Sequence, residues 1–445
     1  MNTNKNTCVI SCPIDCYSGY SARSRDLVKS IIESKKDEWD IKILPQRWGN
    51  CSWGFIEDNI EQWGFLNDYM LPQGPLTQQP DIWMQITVPN EFMPVGKYNI
   101  GITAGIETTL AHGSWIEGCN RMNLILVSSQ HSKDVLLNSK YNKVNSQTNQ
   151  SEGVLEITTP IEVLFEGADI NLYKPMTSTN KNISLKNIPE NFCFLYTGAW
   201  LQGDIGQDRK NTALLIKAFY ETFKNYPKPP ALILKTNGAN SSYMDRREIL
   251  KRINIIKQSV IAKTLPKVYL LHGDFTDEEI NELYNNNKVK AMVSLTKGEG
   301  FGRPLLEFSV VGKPIVVSNW SGHLDFLNPE HTFLVDGKLE NVHPSALMEN
   351  IIIPESQWFS PDTIQVSSAF QDIFLNYGKW EKLSLKQRRH NSENYSWDKM
   401  KELVNVYFTK YIPELPKRVQ LKLPTLKKIE LPKPQTKEVS LEEQK

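Results

Sequence analysis

The sequence predicts an α/β protein made of two consecutive doubly wound domains. Two observations carry that expectation. Short apolar runs alternate with amphipathic stretches of helical period, as in βαβ units that feed a parallel sheet. The alternation breaks at a polar, Pro-containing stretch over 176–190 and then restarts. At 445 residues the chain is too long for one ordinary core and fits two such units plus flanking segments.

Taken in order, TCVISCP is a first strand, SGYSARSRDLVKSIIESKKD a loop and amphipathic helix, and WDIKILP a second strand. This β-loop-α-β opening is the unit of a parallel sheet. DIWMQITVP, YNIGITAG and MNLILVSS are further strand-like runs, and SSQHSKDVLLNSKY reads as a capped helix. The polar, aperiodic stretch 142–153 is expected to be a surface loop. After the linker, FCFLYTGAW, PALILKTN, VYLLHGDF, VKAMVSLT and KPIVVSN are strands. Between them KNTALLIKAFYETFKNY, DRREILKRINIIKQSV, DEEINELYNNN and PLLEFSVV have helical period.

Composition narrows the classes. The apolar fraction is 40% and the charged fraction 23%, those of a soluble globular protein. A net charge of +1 gives no global field that would draw in nucleic acid or an anionic membrane. There is no uninterrupted apolar run of about 18 residues to span a membrane. The first residues lack the basic and apolar regions of a signal peptide, so the expected location is the cytoplasm, or a host's cytoplasm if the protein is viral. Cys8, Cys12 and Cys16 invite a metal reading, but a strand running into a turn scatters them and no histidine completes the set. Buried or reduced thiols are expected, and no metal site. From Pro416 to Lys437 the tail carries seven Lys/Arg against one Glu, with repeated prolines. It is expected to be disordered, either idle or an arm that docks a partner.

The stretch TKGEGFGRPLLE, 296–307, holds the chemistry. It follows a strand, so KGEGFGR is the loop at a carboxyl end, where ligands of open α/β sheets bind. Pro304 suits the first turn of a helix, and Gly312 its end. Helix amides from 301 to 305, Pro304 excepted, could face an anion such as a diphosphate, and Gly300 and Gly302 would let the backbone approach it. Glu299 in the loop and Glu307 in the first helical turn must then turn to something neutral, such as sugar hydroxyls. A glycosidase acid/base pair needs one carboxyl with a raised pKa, and nothing in the sequence offers Glu307 an apolar site. A dinucleotide loop is disfavoured because GEGFG departs from G-x-G-x-x-G.

These residues resemble glycosyltransferase family four, the group 1 transferases, in EGFGRPLLEFSVVGKPIVVSNWSGHLDFL, whose signature is Glu, seven residues, Glu. TGAWLQGDIGQDRKNTALLIKAF, VLFEGADINLYKP, LLHGDFTDEEINELYNN and YSWDKMKELVNVYFTKY resemble other segments of that family, so the resemblance spans roughly 7–412. It implies a GT-B fold, two Rossmann-like domains facing a cleft. The implied division is 1–175 as the acceptor domain, 176–190 as linker and 191–395 as the nucleotide-sugar-binding domain. A closing helix at 396–412 packs back on the N-terminal domain, and 413–445 is a disordered basic tail.

The resemblance further implies a retaining, metal-independent transfer, with a nucleoside-diphosphate sugar as donor and no cofactor. The sequence has no Asp-x-Asp motif to hold a divalent ion on a diphosphate. By the family pattern Glu307 binds the ribose, Glu299 contacts the donor sugar, and Gly300, Phe301 and Gly302 line the sugar and phosphates. Lys210 matches the basic residue that neutralises the leaving diphosphate, and Arg209 compensates for Ala199, where the family often has arginine. Gly19 matches the glycine-loop residue of the N-terminal domain. Glu107, His112, Ser321, Gly322 and His323 are candidates for the acceptor or sugar pocket. The acceptor stays open among a glycan, a lipid-linked sugar, a protein and DNA with hydroxymethylated bases. A catalytically inactive sugar-nucleotide-binding module on the same fold is the remaining alternative.

Overall fold

In β1 (Asn6–Cys12), Cys8, Ile10 and Cys12 face one side of the sheet and Val9 the other. This is the period-two alternation of a strand covered on both faces. The computed structural model describes residues 5–49, 51–72, 76, 78–145, 147–148, 150–177, 183–238 and 240–415.

The N-terminal domain continues with α1 (Gly19–Lys35), β2 (Trp39–Pro45), α2 (Phe55–Asp58), α3 (Ile60–Trp63), β3 (Ile82–Ile86) and β4 (Tyr98–Ile102). It is completed by α4 (Gly113–Asn120), β5 (Leu124–Val127), α5 (Gln130–Asn138), β6 (Tyr141–Val144), β7 (Ser151–Leu155) and β8 (Ile161–Val163). Six strands form a parallel sheet in the order β2-β1-β3-β4-β5-β8. The expected surface loop over 142–153 is instead the antiparallel hairpin β6–β7, with Asn142 opposite Val154. Asn142, Lys143, Val144 and Val154 are all exposed, so the segment has no apolar alternation to betray it.

The C-terminal domain runs β9 (Cys193–Thr197), α6 (Thr212–Phe223), β10 (Ala231–Lys235), α7 (Tyr243–Gln258), β11 (Val268–Leu271), α8 (Asp277–Asn285), β12 (Val289–Ser294), α9 (Arg303–Val311), β13 (Ile315–Ser318) and β14 (Phe333–Val335). Then come the hairpin β15 (Gly337–Asn341) and β16 (Gln357–Pro361), followed by α10 (Thr363–Leu375), α11 (Tyr377–Asn394) and α12 (Trp397–Tyr411). Its parallel sheet has the order β11-β10-β9-β12-β13-β14. The strand order reverses between β9 and β12, and that switch point is where ligands of doubly wound sheets sit. Phe194, Leu232 and Val293 pack under α6, α7 and α10, while Leu195, Ile233 and Met292 pack under α8 and α9.

α12 leaves the C-terminal domain and returns to the first. Met400, Val404 and Phe408, four residues apart, form a stripe buried in the N-terminal core. Each such side chain contributes about 1.5–3 kcal/mol of burial. The Trp397 indole N–H donates to Ser30 Oγ at 2.7 Å, and Lys410 pairs with Glu162 at 2.8 Å.

The carboxyl-end loops of the two sheets meet face to face. Ser128 Oγ donates to the Gly300 carbonyl at 3.1 Å, and the Gln130 amide donates to Asp325 at 2.8 Å. Thr109 and Gln357 exchange two bonds, Thr109 N–H to the Gln357 carbonyl and Gln357 N–H to Thr109 Oγ1, both 2.9 Å. Residues 178–182 of the expected linker and the tail beyond 415 lie outside the described residues. Among the described residues no helix is long and apolar enough to cross a membrane.

Candidate active site

Apolar β12 ends at Ser294, and the loop that follows, 295–302, is buried throughout. A side chain at Gly300 would put its Cβ 2.1 Å from the Ala104 carbonyl of the opposite domain, so only glycine lets the two loops close together. Gly302 has φ +99° and starts α9, whose N-terminus has no side-chain cap. Glu299 is pinned by its backbone. Its N–H donates to Ser321 Oγ at 2.9 Å, and its carbonyl accepts from Gly322 N–H at 3.0 Å. Ser321 holds φ +85°, a strained value for a non-glycine residue, which fits a position fixed by its surroundings.

The loop after neighbouring β9 brings cations to that carboxylate. Lys210 Nζ lies 2.6 Å from Glu299 Oε1, and Arg209 Nη1 lies 3.3 Å from Oε2. Arg209 also donates to the Gly298 carbonyl at 2.9 Å and approaches Glu107 of the N-terminal domain at 3.6 Å. Burial alone would raise the Glu299 pKa, but Lys210 and Arg209 outweigh it and hold the carboxyl at about 2. Glu299 is therefore an ionised hydrogen-bond acceptor and cannot deliver a proton near neutrality.

Glu307 lies one full turn into α9 rather than in its first turn, and it is 6% exposed. Arg303 Nε donates to it at 2.6 Å, while Arg303 Nη1 reaches Asp26 on α1. One guanidinium thus faces two carboxylates, with Asp277 adding negative field. Burial, reinforced by Asp277 and Asp26, raises Glu307 to about 7 against the pull of Arg303. The expectation that nothing offers this carboxyl a raised pKa is corrected: the protein interior does, through packing that a linear reading cannot display.

Residues 207–351 match the family model described as "Glycosyl transferases group 1". The chain carries a group 1 glycosyltransferase domain. The transferase has a GT-B fold. Anabaena HepE, solved with UDP-glucose, superposes with a TM-score of 0.60 at 15% identity, over 91% of this chain and 100% of that one. Sucrose-phosphate synthase of Thermosynechococcus elongatus gives 0.57 at 12% identity, over 91% and 99%. A glycosyltransferase from Rickettsia africae gives 0.58 at 13% identity, over 92% and 100%. No curated protein matches the transferase in sequence.

The remaining candidates are not all brought to the transferase cleft. Gly19 is the first residue of α1, capped by Ser18, and a side chain there would meet nothing within 4 Å. The Phe301 side chain is not in the cleft but packed on Phe326 at 4.9 Å, so only its backbone can line the site. His323 is buried and its Nε2–H donates to the Ser318 carbonyl at 2.7 Å. That leaves its buried Nδ1 without a partner among the described residues. Burial lowers its pKa, so it is neutral and Nδ1 is a free acceptor. His112 caps α4, its Nδ1 accepting from the Ser114 N–H at 3.2 Å, and it stands apart from the Glu299 cluster, beside Tyr141 and Met348. Sequence reasoning missed Asp26, Arg303, Asp277, Trp200 and Trp358. The Arg303–Glu307 pair had a readable signal in its i,i+4 spacing.

Proposed function

We propose that the protein transfers a sugar from a nucleoside-diphosphate sugar to an acceptor hydroxyl, with retained anomeric configuration and without a metal ion. The observation that carries this reading is the Glu299–Lys210–Arg209 cluster at the switch point beside the uncapped N-terminus of α9. Lys210, Arg209 and the helix dipole supply positive charge where a diphosphate would develop negative charge on leaving. Glu299, ionised throughout the neutral range, is suited to accept hydrogen bonds from sugar hydroxyls. In this reading Glu307 accepts the ribose hydroxyls once Arg303 moves aside. Retention rests on the family resemblance.

In the reaction the acceptor oxygen bonds to the anomeric carbon, and the bond from that carbon to the diphosphate oxygen breaks. The acceptor proton passes to the departing diphosphate. No protein carboxylate is needed as base, consistent with Glu299 being bound to two cations. The closed approach of the Gly300 loop to Ala104 and Ser128 keeps water from the bond being transferred. The acceptor is read as a glycan, a lipid-linked sugar or a protein.

A thermal-shift screen of UDP-, GDP-, ADP- and dTDP-sugars tests the donor. UDP-glucose comes first, because the HepE structure holds it. A rise of several degrees with one donor is expected. No rise with any of them would contradict the proposal.

A further inference from the structure

We propose that the acceptor carries an uncharged apolar group, of aryl size, which binds in a cavity behind Arg209. This rests on the transferase reading above and names the substrate class for it. The cavity measures about 400 Å³, within the range of about 300–1,000 Å³ usual for small-molecule sites. Its apolar walls are Trp200 from the loop after β9, Ile249 of α7, and Met348, Ile352 and Trp358 from the β15–β16 excursion. Both indoles are almost wholly buried, at 2% and 1% exposure.

Three features select the occupant. The first is place. Arg209 lines the cavity, and the same guanidinium contacts Glu299 and Glu107, so a group seated there lies just beyond the proposed sugar position. The second is charge. The lining carries two arginines, Arg209 and Arg252, against two carboxylates, Asp245 and Glu248, and Arg252 pairs with Glu248 at 3.6 Å. The lining is balanced, and Arg209, assigned above to the donor diphosphate, turns its guanidinium toward Glu299 and Glu107, which disfavours a phosphate or nucleic acid as the occupant of the cavity. The third is closure. The excursion is tied to the β9 loop by Gln202 Nε2 to the Leu347 carbonyl at 2.7 Å and by the Asp204 amide to Ser345 Oγ at 2.9 Å. It is tied to the N-terminal domain through Thr109 and Gln357. The roof of the cavity is therefore fastened to both walls of the cleft, and an apolar ring seated among its walls would be held as the domains close.

Calorimetric titration of p-nitrophenyl glucoside against methyl glucoside, on the full chain without donor, tests this. The aryl glucoside is expected to bind at least about tenfold tighter, the effect of burying one ring. Met348→Trp fills the cavity from a position that is 42% exposed and so spares the core. It should remove the preference while leaving the nucleotide-sugar thermal shift in place, and Trp200→Leu should weaken the preference independently. With the donor present, the aryl glucoside should stimulate nucleoside-diphosphate release more than methyl glucoside does. Equal binding of the two glucosides by the wild type, or a preference that survives Met348→Trp, overturns the proposal. So does tight aryl binding without stimulated release. Failure of every nucleotide sugar to shift the wild type would instead sink the donor reading, which the donor-free titration does not use.

Discussion

Arg303 reaches across the cleft to Asp26, its Nη1 2.5 Å from the carboxylate, while its Nε holds Glu307 at 2.6 Å. The carboxylate proposed for the donor ribose thus already has an arginine partner, and the same side chain ties one domain to the other. Under the proposed function, donor binding exchanges this ion pair for ribose hydroxyls.

Removing the guanidinium leaves two carboxylates facing each other in a buried place. Arg303→Ala is expected to destabilise the fold by about 3 kcal/mol, the usual cost of orphaning a buried charge. Urea unfolding measures it. An unchanged midpoint would show that the pair contributes nothing.

The Glu307 proton gives a pH signature. Its folded pKa of about 7 stands above its ordinary 4.5, so the folded protein keeps a proton that the unfolded chain has lost. That contribution is complete below pH 4.5 and is lost as pH rises through about 7. Glu307→Gln should flatten the fall of Tm between those limits. Donor affinity in the wild type should rise across pH 7 as the carboxylate ionises. Parallel Tm curves for the two proteins would contradict the assignment.

Glu299→Gln should separate phosphate binding from transfer. Without the carboxylate, Lys210 loses its partner and Arg209 one of its two, which leaves more positive charge for a diphosphate. UDP is expected to bind more tightly while turnover falls by about 100-fold or more. Calorimetry and a turnover assay read the two effects. A variant that keeps turnover would remove Glu299 from the site.

Gly300→Val tests closure directly. Even its Cβ would collide with the Ala104 carbonyl, which belongs to the other domain, so the C-terminal domain can fold while the cleft cannot shut. A larger radius of gyration in solution scattering is expected, with loss of transfer. An unchanged radius would mean the loops close in another way.

The alternating strands of both sheets and the loop around Glu299 were legible because period and punctuation are local. The i,i+4 step from Arg303 to Glu307 is local too, and its spacing alone permits the pair. Asp26 could not be read: its contact with Arg303 joins residues 277 positions apart. The hairpin β15–β16 and helices α10 and α11 carry no comparable local signal. α11 has only four buried residues among eighteen, Trp380, Ser384, Gln387 and Asn391, and three of those are polar. Its core contacts are hydrogen bonds, such as Asn391 to Ser309 at 2.7 Å, and hydropathy does not report them.

The central claim is that Lys210 stabilises a departing nucleoside diphosphate. It is tested most directly by the steady-state rate of nucleoside-diphosphate release, from the nucleotide sugar that shifts the wild type most, with wild type and Lys210→Ala at matched fold by circular dichroism. Saturable release by the wild type, reduced about 100-fold or more by Lys210→Ala, is the expected result. Equal release by the two proteins, or none by the wild type from any nucleotide sugar, would contradict it.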